Sequence, residues 1–423
     1  MNRRRITGSR TLRAFRHRNY RLYYAGLLTS LVGTWMQQVA QGWLVLRLTG
    51  DPLALGLVAA AQFTPVLVLG LFGGLLADAF PKRRSLLILQ CLMAGHAITL
   101  TILVASGLVE AWMIVVMAFL LGCLGAAEMP IRQSFAIEMV GREDIGNAIA
   151  LNSAMFNGAR IVGPAIAGIL IGIFGEAVAF AINATTFAAV VGALLAMREE
   201  ELLTPPGLVR PRSVRAVAST LAEGLAYVRR TPLVLLAVVV VGTVSTFGMN
   251  FSVVFPAFAK DVLGVGPEGF GFLMAAAGVG SLTSALWLAN RGRPDPRVIV
   301  AGALVLGLAE IILAAVRLLP LAMILAFFVG AGAIGMAATG NTTIQVAVPD
   351  ALRGRVISVY TTVFAGSTPI GGLAIGSIAS AFGVPLATAV GGAVSILVGL
   401  AGIAWLRRVS VRGPIKPDAV ATA

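Results

Sequence analysis

The sequence predicts an all-α membrane protein in which twelve transmembrane helices form two pseudo-symmetric six-helix bundles. Three observations support this fold class. Hydrophobic residues make up 58% of the 423 residues, which matches about twelve spans of roughly 20 apolar residues each. Charged residues make up only 12%, against about 25% in soluble domains. One long polar connection, residues 198–232, divides the apolar runs six and six.

Each apolar run is predicted to be a helix, because lipid offers the backbone no hydrogen-bond partners. The length and number of these runs exclude a soluble enzyme, a disordered chain and an outer-membrane barrel, whose short alternating segments contain no long apolar run. The predicted organisation is an N-terminal bundle at 1–197, a linker at 198–232 and a C-terminal bundle at 233–423. The predicted spans are 22–46, 53–77, 85–107, 111–135, 145–172, 177–197, 233–257, 269–290, 297–317, 320–345, 356–381 and 385–406.

The distribution of positive charge predicts the orientation of the chain in the membrane. The net charge is +14, with 32 Lys and Arg residues. Nearly all of them fall at the two termini or in the even-numbered connections, whereas the other side holds only Arg47, Lys260 and Arg317. Cytoplasmic loops carry such an excess, so both termini and the central linker are expected in the cytoplasm of a bacterial cell. Because the charge is spread over many short segments, nucleic-acid binding is not expected.

The central linker contains one helical pattern. Its apolar residues recur at spacings of three and four, and arginines flank them. This pattern is typical of a helix that lies on the cytoplasmic membrane surface, either as a structural linker or as a regulatory element. The apolar residues are Val214, Val217, Leu221, Leu225 and Val228.

The two halves also contain similar segments. Residues 158–175 align without a gap on 366–383, and five positions, four of them glycine, recur. A second match at nearly the same offset relates the polar stripe of span 1 to that of span 7. Two matches near half the chain length indicate duplicated six-helix units, and such repeats place a substrate site at their interface near the bilayer midplane.

A short basic loop follows span 2. It carries Gly74, Asp78, Lys82, Arg83 and Arg84, and it resembles the G-x-L-A-D-R-x-G-R-K/R signature of the major facilitator superfamily. The resemblance implies that Asp78 takes part in gating by pairing across the bundle interface, while the three basic residues hold the loop at the cytoplasmic surface. The alternative is an ordinary basic turn with an incidental Asp.

Span 5 contains Gly163, Pro164 and Gly168, and this part resembles the antiporter motif of the same superfamily, which is associated with exporters. Residues 18–87 and 128–168 look like the enterobactin-exporter and macrolide-efflux-like branch. The resemblance implies proton-driven export of small amphiphilic molecules, of the drug or siderophore type, across the cytoplasmic membrane. The alternatives are an uptake permease and a transport-inactive receptor or scaffold.

Charged residues inside the predicted spans are candidates for function, because charge in the bilayer is costly. Glu128 and Arg132 lie one turn apart on span 4 and can pair, and Arg160 lies in the middle of span 5 on a face with Asn157. We expect Glu128, Arg132 and Arg160 to form one cluster, with Glu128 as the first proton-carrier candidate. The alternative is a structural ion-pair network.

Three further residues are candidates for proton coupling. They are Asp78, His96 in span 3 and Glu310 in span 9. His96 is the one histidine inside a predicted span, and histidine changes charge near neutral pH; it can equally be a satisfied contact between helices. Glu310 lies on a span that is expected at the bundle exterior, where a structural partner is the alternative role.

Neutral polar residues form stripes on three spans that are expected to line the cavity. Such stripes can hydrogen-bond a substrate, or they can hydrogen-bond neighbouring helices. The stripes consist of Thr34, Gln37, Gln38 and Gln41 on span 1, Thr243, Thr246 and Asn250 on span 7, and Asn341, Thr342 and Gln345 on span 10.

Nothing in the sequence indicates enzymatic chemistry or a cofactor. There is no G-x4-G-K-[ST] phosphate loop, and two His and two Cys do not make a metal-spaced set. An ion gradient is therefore the expected energy source. The expected partners are a small-molecule substrate, protons and the lipid bilayer, with no nucleic acid, and the chain is expected to function as a monomer.

Overall fold

In the computed structural model, the backbone is described for residues 10–203 and 214–411, and side chains for 12–69, 80–203 and 221–408. This part of the chain is helical and contains no strand. After a 3-10 segment at Arg10–Arg16, the α-helices are α1 Arg18–Thr49, α2 Pro52–Ala79, α3 Lys82–Ala105, α4 Ala111–Phe174, α5 Glu176–Leu195, α6 Val214–Arg230, α7 Pro232–Phe247, α8 Phe251–Ala257, α9 Pro267–Arg291, α10 Pro296–Ala315, α11 Leu319–Ala347, α12 Asp350–Phe382 and α13 Val384–Val411.

These helices confirm twelve crossings. Ten helical segments of the described chain are long and apolar enough to span a membrane, counting α7 and α8 together. α4 has 64 residues and is bent in the middle, so it supplies two crossings, spans 4 and 5. The 32-residue α1 is the remaining one, and its stripe of glutamines makes it more polar than the others.

The bend in α4 lies at Gly141, which has φ 72° and ψ 176°. The sequence led us to expect a loop between 135 and 145, but helix continues on both sides of this single glycine. A positive φ of this kind is open to glycine and strained for residues with a Cβ. Gly141 therefore reverses the chain without a loop and divides α4 into a first arm, 111–140, and a second arm, 142–174.

Span 7 is broken, where the sequence predicted one helix over 233–257. α7 ends at Phe247, residues 248–250 are not helical, and α8 leads into a π-helical turn at Phe258–Val262. The Asn250 side chain donates a hydrogen bond to the Thr246 carbonyl oxygen at 2.7 Å. That bond occupies a carbonyl that the interruption would otherwise leave without a helical partner.

Two helices begin with the same N-capping arrangement. Asp51 precedes Pro52 of α2 and accepts a hydrogen bond from the Leu53 amide at 2.9 Å. Asp295 precedes Pro296 of α10 and accepts one from the Arg297 amide at 3.0 Å. An Asp N-cap followed by proline at the first helical position is a strong start signal.

The spans pack as two bundles with related contacts. In the first, α2 packs on the first arm of α4 and α3 on α5; in the second, α9 packs on α11 and α10 on α13. Between the bundles, α2 packs on α12, and the second arm of α4 packs on α9. These two interfaces are exchanged by the pseudo-two-fold relation, as expected for a duplicated unit.

The predicted linker helix is present as α6. It packs against α12: Gly224 lies directly on the Arg355 backbone, Glu223 pairs with the Arg355 guanidinium, and Val228 is buried. Its predicted residues Val214 and Val217 have side chains outside the described set. The helix is thus fixed to the C-terminal bundle at the end of the molecule where α1 begins and α13 ends, called below the terminus end.

Candidate functional site

Two glycine-rich seams join the bundles. In the first, Gly56 of α2 lies so close to the Gly372 carbonyl of α12 that a Cβ on Gly56 would overlap it. In the second, a Cβ on Gly168 of α4 would lie 2.7 Å from the Pro267 carbonyl oxygen of α9. Small residues permit such backbone-to-backbone approach between membrane helices. Both seams therefore depend on the absence of side chains.

The predicted antiporter motif lies at the second seam. Gly163 packs against α1, where a Cβ would lie 2.6 Å from Trp35 Cβ. The Pro164 carbonyl faces Gly271 of α9, and Gly168 faces the first turn of the same helix. The motif thus connects α1 within its own bundle to α9 in the other.

The seams close the opposite end of the molecule, where α1 ends and α13 begins, called below the far end. There the Lys260 ammonium donates to the Leu46 carbonyl at 3.1 Å, and Arg47 pairs with Glu176 at 2.7 Å. Toward the terminus end, side chains beyond the seams are exposed, including Val68 of α2 and Phe156 of α4. The close backbone contacts that Gly56 and Gly168 make between the bundles thus lie toward the far end.

A cavity of about 400 Å³ lies between α1 and the two arms of α4, in the half of the bundle toward the terminus end. Its wall combines aromatic rings, amides and one guanidinium, which suits an amphiphilic ligand. Its lining includes Tyr20, Tyr23, Tyr24, Arg132, Gln133, Asn152 and Ser153.

Arg132 lines this cavity and forms an ion pair with Glu128, which lies behind it and outside the lining. Arg132 Nε lies 3.0 Å from Glu128 Oε1, and both side chains are largely buried. The Tyr23 hydroxyl is buried and has no hydrogen-bond partner among the described residues. Tyr23 and Arg132 line the same cavity, so its wall combines an aromatic ring with a cation.

Arg160 does not join this pair, which corrects the expectation of a three-residue cluster. Its guanidinium donates to Asn157 Oδ1 at 3.2 Å, and Asn157 in turn donates to the Ser153 carbonyl. Among the described residues no carboxylate pairs with Arg160. The reason is geometric: at 1.5 Å per residue, Arg160 lies about 9 Å farther from the Gly141 bend than Glu128 does.

The glutamines of α1 divide between two environments. Gln37 is only 2% exposed and accepts a hydrogen bond from Asn183 of α5 at 2.7 Å, so the structure places it in helix packing. Gln41 is also buried, whereas Thr34 is exposed and Gln38 is half-buried. Thr34 and Gln38 remain the α1 side chains that are accessible for a substrate.

The stripes of the second bundle are similarly mixed. On α7, Thr243 and Thr246 are half-buried, and Asn250 is buried at the helix break. On α11, Thr342 and Gln345 are exposed, and Gln345 donates to Asn341 Oδ1 at 2.8 Å. The α11 stripe therefore presents its polar groups to an open space.

Two other proton candidates lie in contacts between helices. His96 Nε2 is 2.9 Å from the Met117 carbonyl oxygen of α4, a geometry in which the ring nitrogen donates. Glu310 is 5% exposed, and its Oε2 has no hydrogen-bond partner among the described residues. Its carboxylate oxygen Oε2 faces Gly391 of α13, and its Cβ lies against Gly392. The side chain therefore points into the bundle, although span 9 was expected at the exterior.

The basic loop after α2 is tied to its own bundle. Lys82 Nζ pairs with Glu138 Oε1 at 2.5 Å, and Arg83 donates to the Leu194 carbonyl at 2.7 Å while it also pairs with Glu199. Arg84 is exposed. The side chain of Asp78 and the surroundings of Gly74 lie outside the described set.

Sequence reasoning missed two parts of this site. The first is Asn183, a lone amide in an apolar span, whose presence could have signalled a polar partner on another helix. The second is the group Tyr20, Tyr23 and Tyr24 at the start of α1. Tyr20 and Tyr24 donate to the Ala148 and Leu151 carbonyls of α4, and three tyrosines in five residues could have signalled an aromatic wall.

Comparison with known families and proteins agrees with this architecture. The profile of a family described as transmembrane secretion effector matches residues 9–412. The multidrug efflux pump Tap of Mycolicibacterium fortuitum is 31% identical over 367 residues, which cover 84% of this chain and 88% of Tap. The staphyloferrin A transporter of Staphylococcus aureus is 22% identical and covers 86% of this chain and 90% of its own length.

A solved structure shares the fold. A bacterial homologue of the human lysosomal transporter Spinster, in an inward-facing and unoccupied conformation, superposes with a TM-score of 0.71 at 14% identity. The match covers 97% of this chain and all of the other. At this identity the likeness establishes the arrangement of helices.

Proposed function

Because the chain belongs to the transmembrane secretion effector family of the major facilitator superfamily, we propose that it is a proton-coupled exporter of small amphiphilic molecules that works by alternating access. It is a multi-pass membrane transporter with efflux pumps among its relatives. The observation that carries the proposal is the cavity of about 400 Å³ toward the terminus end, whose wall includes Arg132, the ion-pair partner of Glu128.

The direction of transport is supported by the second seam. Gly163 and Gly168 hold the second arm of α4 against α1 and α9, and the matching motif is associated with exporters in the superfamily. This seam keeps the far end closed while substrate enters from the terminus end. With both termini and the linker in the cytoplasm, as the charge distribution predicts, substrate enters from the cytoplasm and leaves on the other side.

Proton coupling is assigned to Glu128. In the conformation described, Arg132 Nε lies 3.0 Å from Glu128 Oε1, and we assign this paired state to the step after a proton has been released to the cytoplasm. Opening of the far end moves the arms of α4 relative to the other bundle. If this separates Glu128 from Arg132, the carboxyl is left unpaired in a water-poor site and takes up a proton from outside. Each cycle then moves one proton inward.

The substrate class follows from the charges. The Glu128–Arg132 pair is neutral, and Arg160 adds a cation without a carboxylate partner in the described structure. A neutral or anionic substrate is therefore favoured over a cationic one. The aromatic wall of Tyr20, Tyr23 and Tyr24 adds an apolar surface to the cavity. A second aromatic pair lies between α1 and α4 outside the lining, where Trp35 and Phe156 contact edge to face with ring centroids 5.8 Å apart.

An efflux assay tests the proposal against the alternatives. Cells that lack their own pumps are loaded with neutral and anionic fluorescent amphiphiles, and efflux is followed with and without an uncoupler. An exporter lowers the amount of the fluorescent amphiphile inside the cells, and the uncoupler abolishes this effect. An uptake permease raises that amount, and a receptor or scaffold leaves it unchanged.

A topology assay tests the direction independently. Reporters fused after Ala423 or inserted beside Pro206 should both read as cytoplasmic. A periplasmic reading at either position would reverse the sidedness of the proposed cycle.

A further inference from the structure

A second cavity, of about 350 Å³, lies on the outer surface of the C-terminal bundle, away from the proposed transport pathway. It is a groove between α9 and α10 with α11 as its floor. It lies at the terminus end, where α9 ends at Arg291 and α10 begins at Pro296. Its lining includes Trp287, Arg291, Asp295, Arg297, Ala301 and Gly302.

The floor of this groove is built from small residues. Gly302 of α10 lies against the Gly332 carbonyl of α11, where a Cβ would be 2.7 Å from the oxygen. Gly335 lies against Ser284 of α9, with a Cβ position 2.9 Å from the hydroxyl oxygen. Because these positions have no side chain or a short one, α11 approaches its neighbours closely, and the apolar channel between α9 and α10 has a floor of small residues.

The mouth of the groove carries uncompensated positive charge. Arg291, Arg293 and Arg297 are exposed, and none of them forms an ion pair with a described residue. Asp295 is the one acidic residue in the lining, and its Oδ1 accepts the Arg297 amide hydrogen bond as the N-cap of α10. Arg291 lies over the indole ring of Trp287, with Cζ 4.7 Å from the centroid.

We propose that this groove binds one anionic phospholipid, with an acyl chain on the small-residue floor and the phosphate between Arg291 and Arg297. Trp at a helix end marks the membrane interface, and basic pockets between helices on the cytoplasmic side recruit anionic headgroups. The apolar floor favours a lipid over a free phosphate ion, which would use the arginines alone. The site does not depend on the transport mechanism, so it can be tested separately.

Native mass spectrometry of the purified full chain in detergent tests the proposal. The probes are phosphatidylglycerol and phosphatidylcholine with identical acyl chains. Each Arg near an anionic surface strengthens binding about fivefold, so the double variant Arg291→Ala/Arg297→Ala should bind phosphatidylglycerol about 25-fold more weakly. The control variant Arg407→Ala/Arg408→Ala removes the same charge at the same end but outside the groove, and it should retain binding.

A second variant separates the groove from general charge. Ala301→Trp fills the channel from its exposed side and keeps all the arginines. It should weaken phosphatidylglycerol binding, whereas an excess of inorganic phosphate should not displace the lipid. The proposal is overturned if phosphatidylcholine binds equally well, if both double variants lose binding alike, or if phosphate alone displaces the lipid.

Discussion

Closure of the far end depends on Gly168, and replacing this glycine by alanine should open the seam. An added Cβ would lie 2.7 Å from the Pro267 carbonyl oxygen and 2.9 Å from Glu268 Cα. Both are backbone atoms of the first turn of α9, which cannot rotate away as a side chain can. Overpacking of this kind costs about 1–3 kcal/mol. The cost falls only on the conformation with the seam closed, so the population should shift about 5- to 150-fold toward the far-end-open state.

Cysteine accessibility measures that shift. The native Cys91 and Cys123 are first replaced by alanine, and a reporter cysteine is placed at Thr34, which is exposed on α1. A membrane-impermeant maleimide is added from outside the cell. In the Gly168→Ala variant the cysteine at position 34 should react with the maleimide about 5- to 150-fold faster, because the cavity is open to the outside for a larger fraction of the time.

Gly172 supplies the matched control. It lies one turn beyond Gly168 on the same face, but a Cβ there would meet only the Glu268 carboxylate oxygen at 3.2 Å and Pro267 Cγ at 3.9 Å. The Glu268 carboxylate is the mobile end of a side chain and can move away. In the Gly172→Ala variant the reporter cysteine should therefore react with the maleimide at the same rate as in the protein with glycine at both positions. Equal labelling of the Gly168 and Gly172 variants, with both inserted normally, would refute the argument that this seam closes the far end.

Three further substitutions test other parts of the structure. Gly141→Ala should cost about 1–2 kcal/mol because of the positive φ and lower the midpoint of thermal unfolding; Gly158→Ala, where a Cβ meets nothing within 4 Å, should leave it unchanged. Arg160→Ala should weaken binding of an anionic dye about 10- to 150-fold in equilibrium titration. It should not lower thermal stability, because no described carboxylate loses its partner. A loss of stability would instead place Arg160 in a structural network. Glu310→Gln should preserve proton-driven efflux, since the carboxyl faces α13 and not the cavity; loss of efflux in a stable variant would make Glu310 a coupling residue.

Much of the fold could be predicted from the sequence, because apolar runs and positive loops are dictated by the bilayer itself. The start of α2 at Asp51 and Pro52 is a local signal of the same kind. The continuous passage through Gly141 was not predictable, since one glycine can begin a loop or bend a helix. The interruption at 248–250 was missed because the polar stripe of this span is compatible with a continuous helix, and the break is held by contacts with α12 and α13.

The candidate site was less predictable than the fold. Gln37 and Gln38 are adjacent in sequence and about 100° apart around the helix. Which of them faces the cavity depends on Asn183, which is 146 residues away. Likewise, Glu128 and Arg132 are four residues apart and pair locally, whereas the position of Arg160 depends on where α4 bends. Residue spacing within one helix predicted which side chains pair, and residue spacing across the Gly141 bend did not.

The most direct test of proton-coupled export through Glu128 is transport in proteoliposomes with an imposed pH gradient. Wild-type protein should concentrate a fluorescent amphiphile against its gradient only while the pH gradient is maintained, and an uncoupler should abolish this. Glu128→Gln should bind the dye but fail to concentrate it, whereas Glu110→Gln, at an exposed helix start where the carboxylate accepts from Trp112, should behave as wild type. If Glu128→Gln still concentrates the dye against its gradient, the proton is carried elsewhere and the central claim is contradicted.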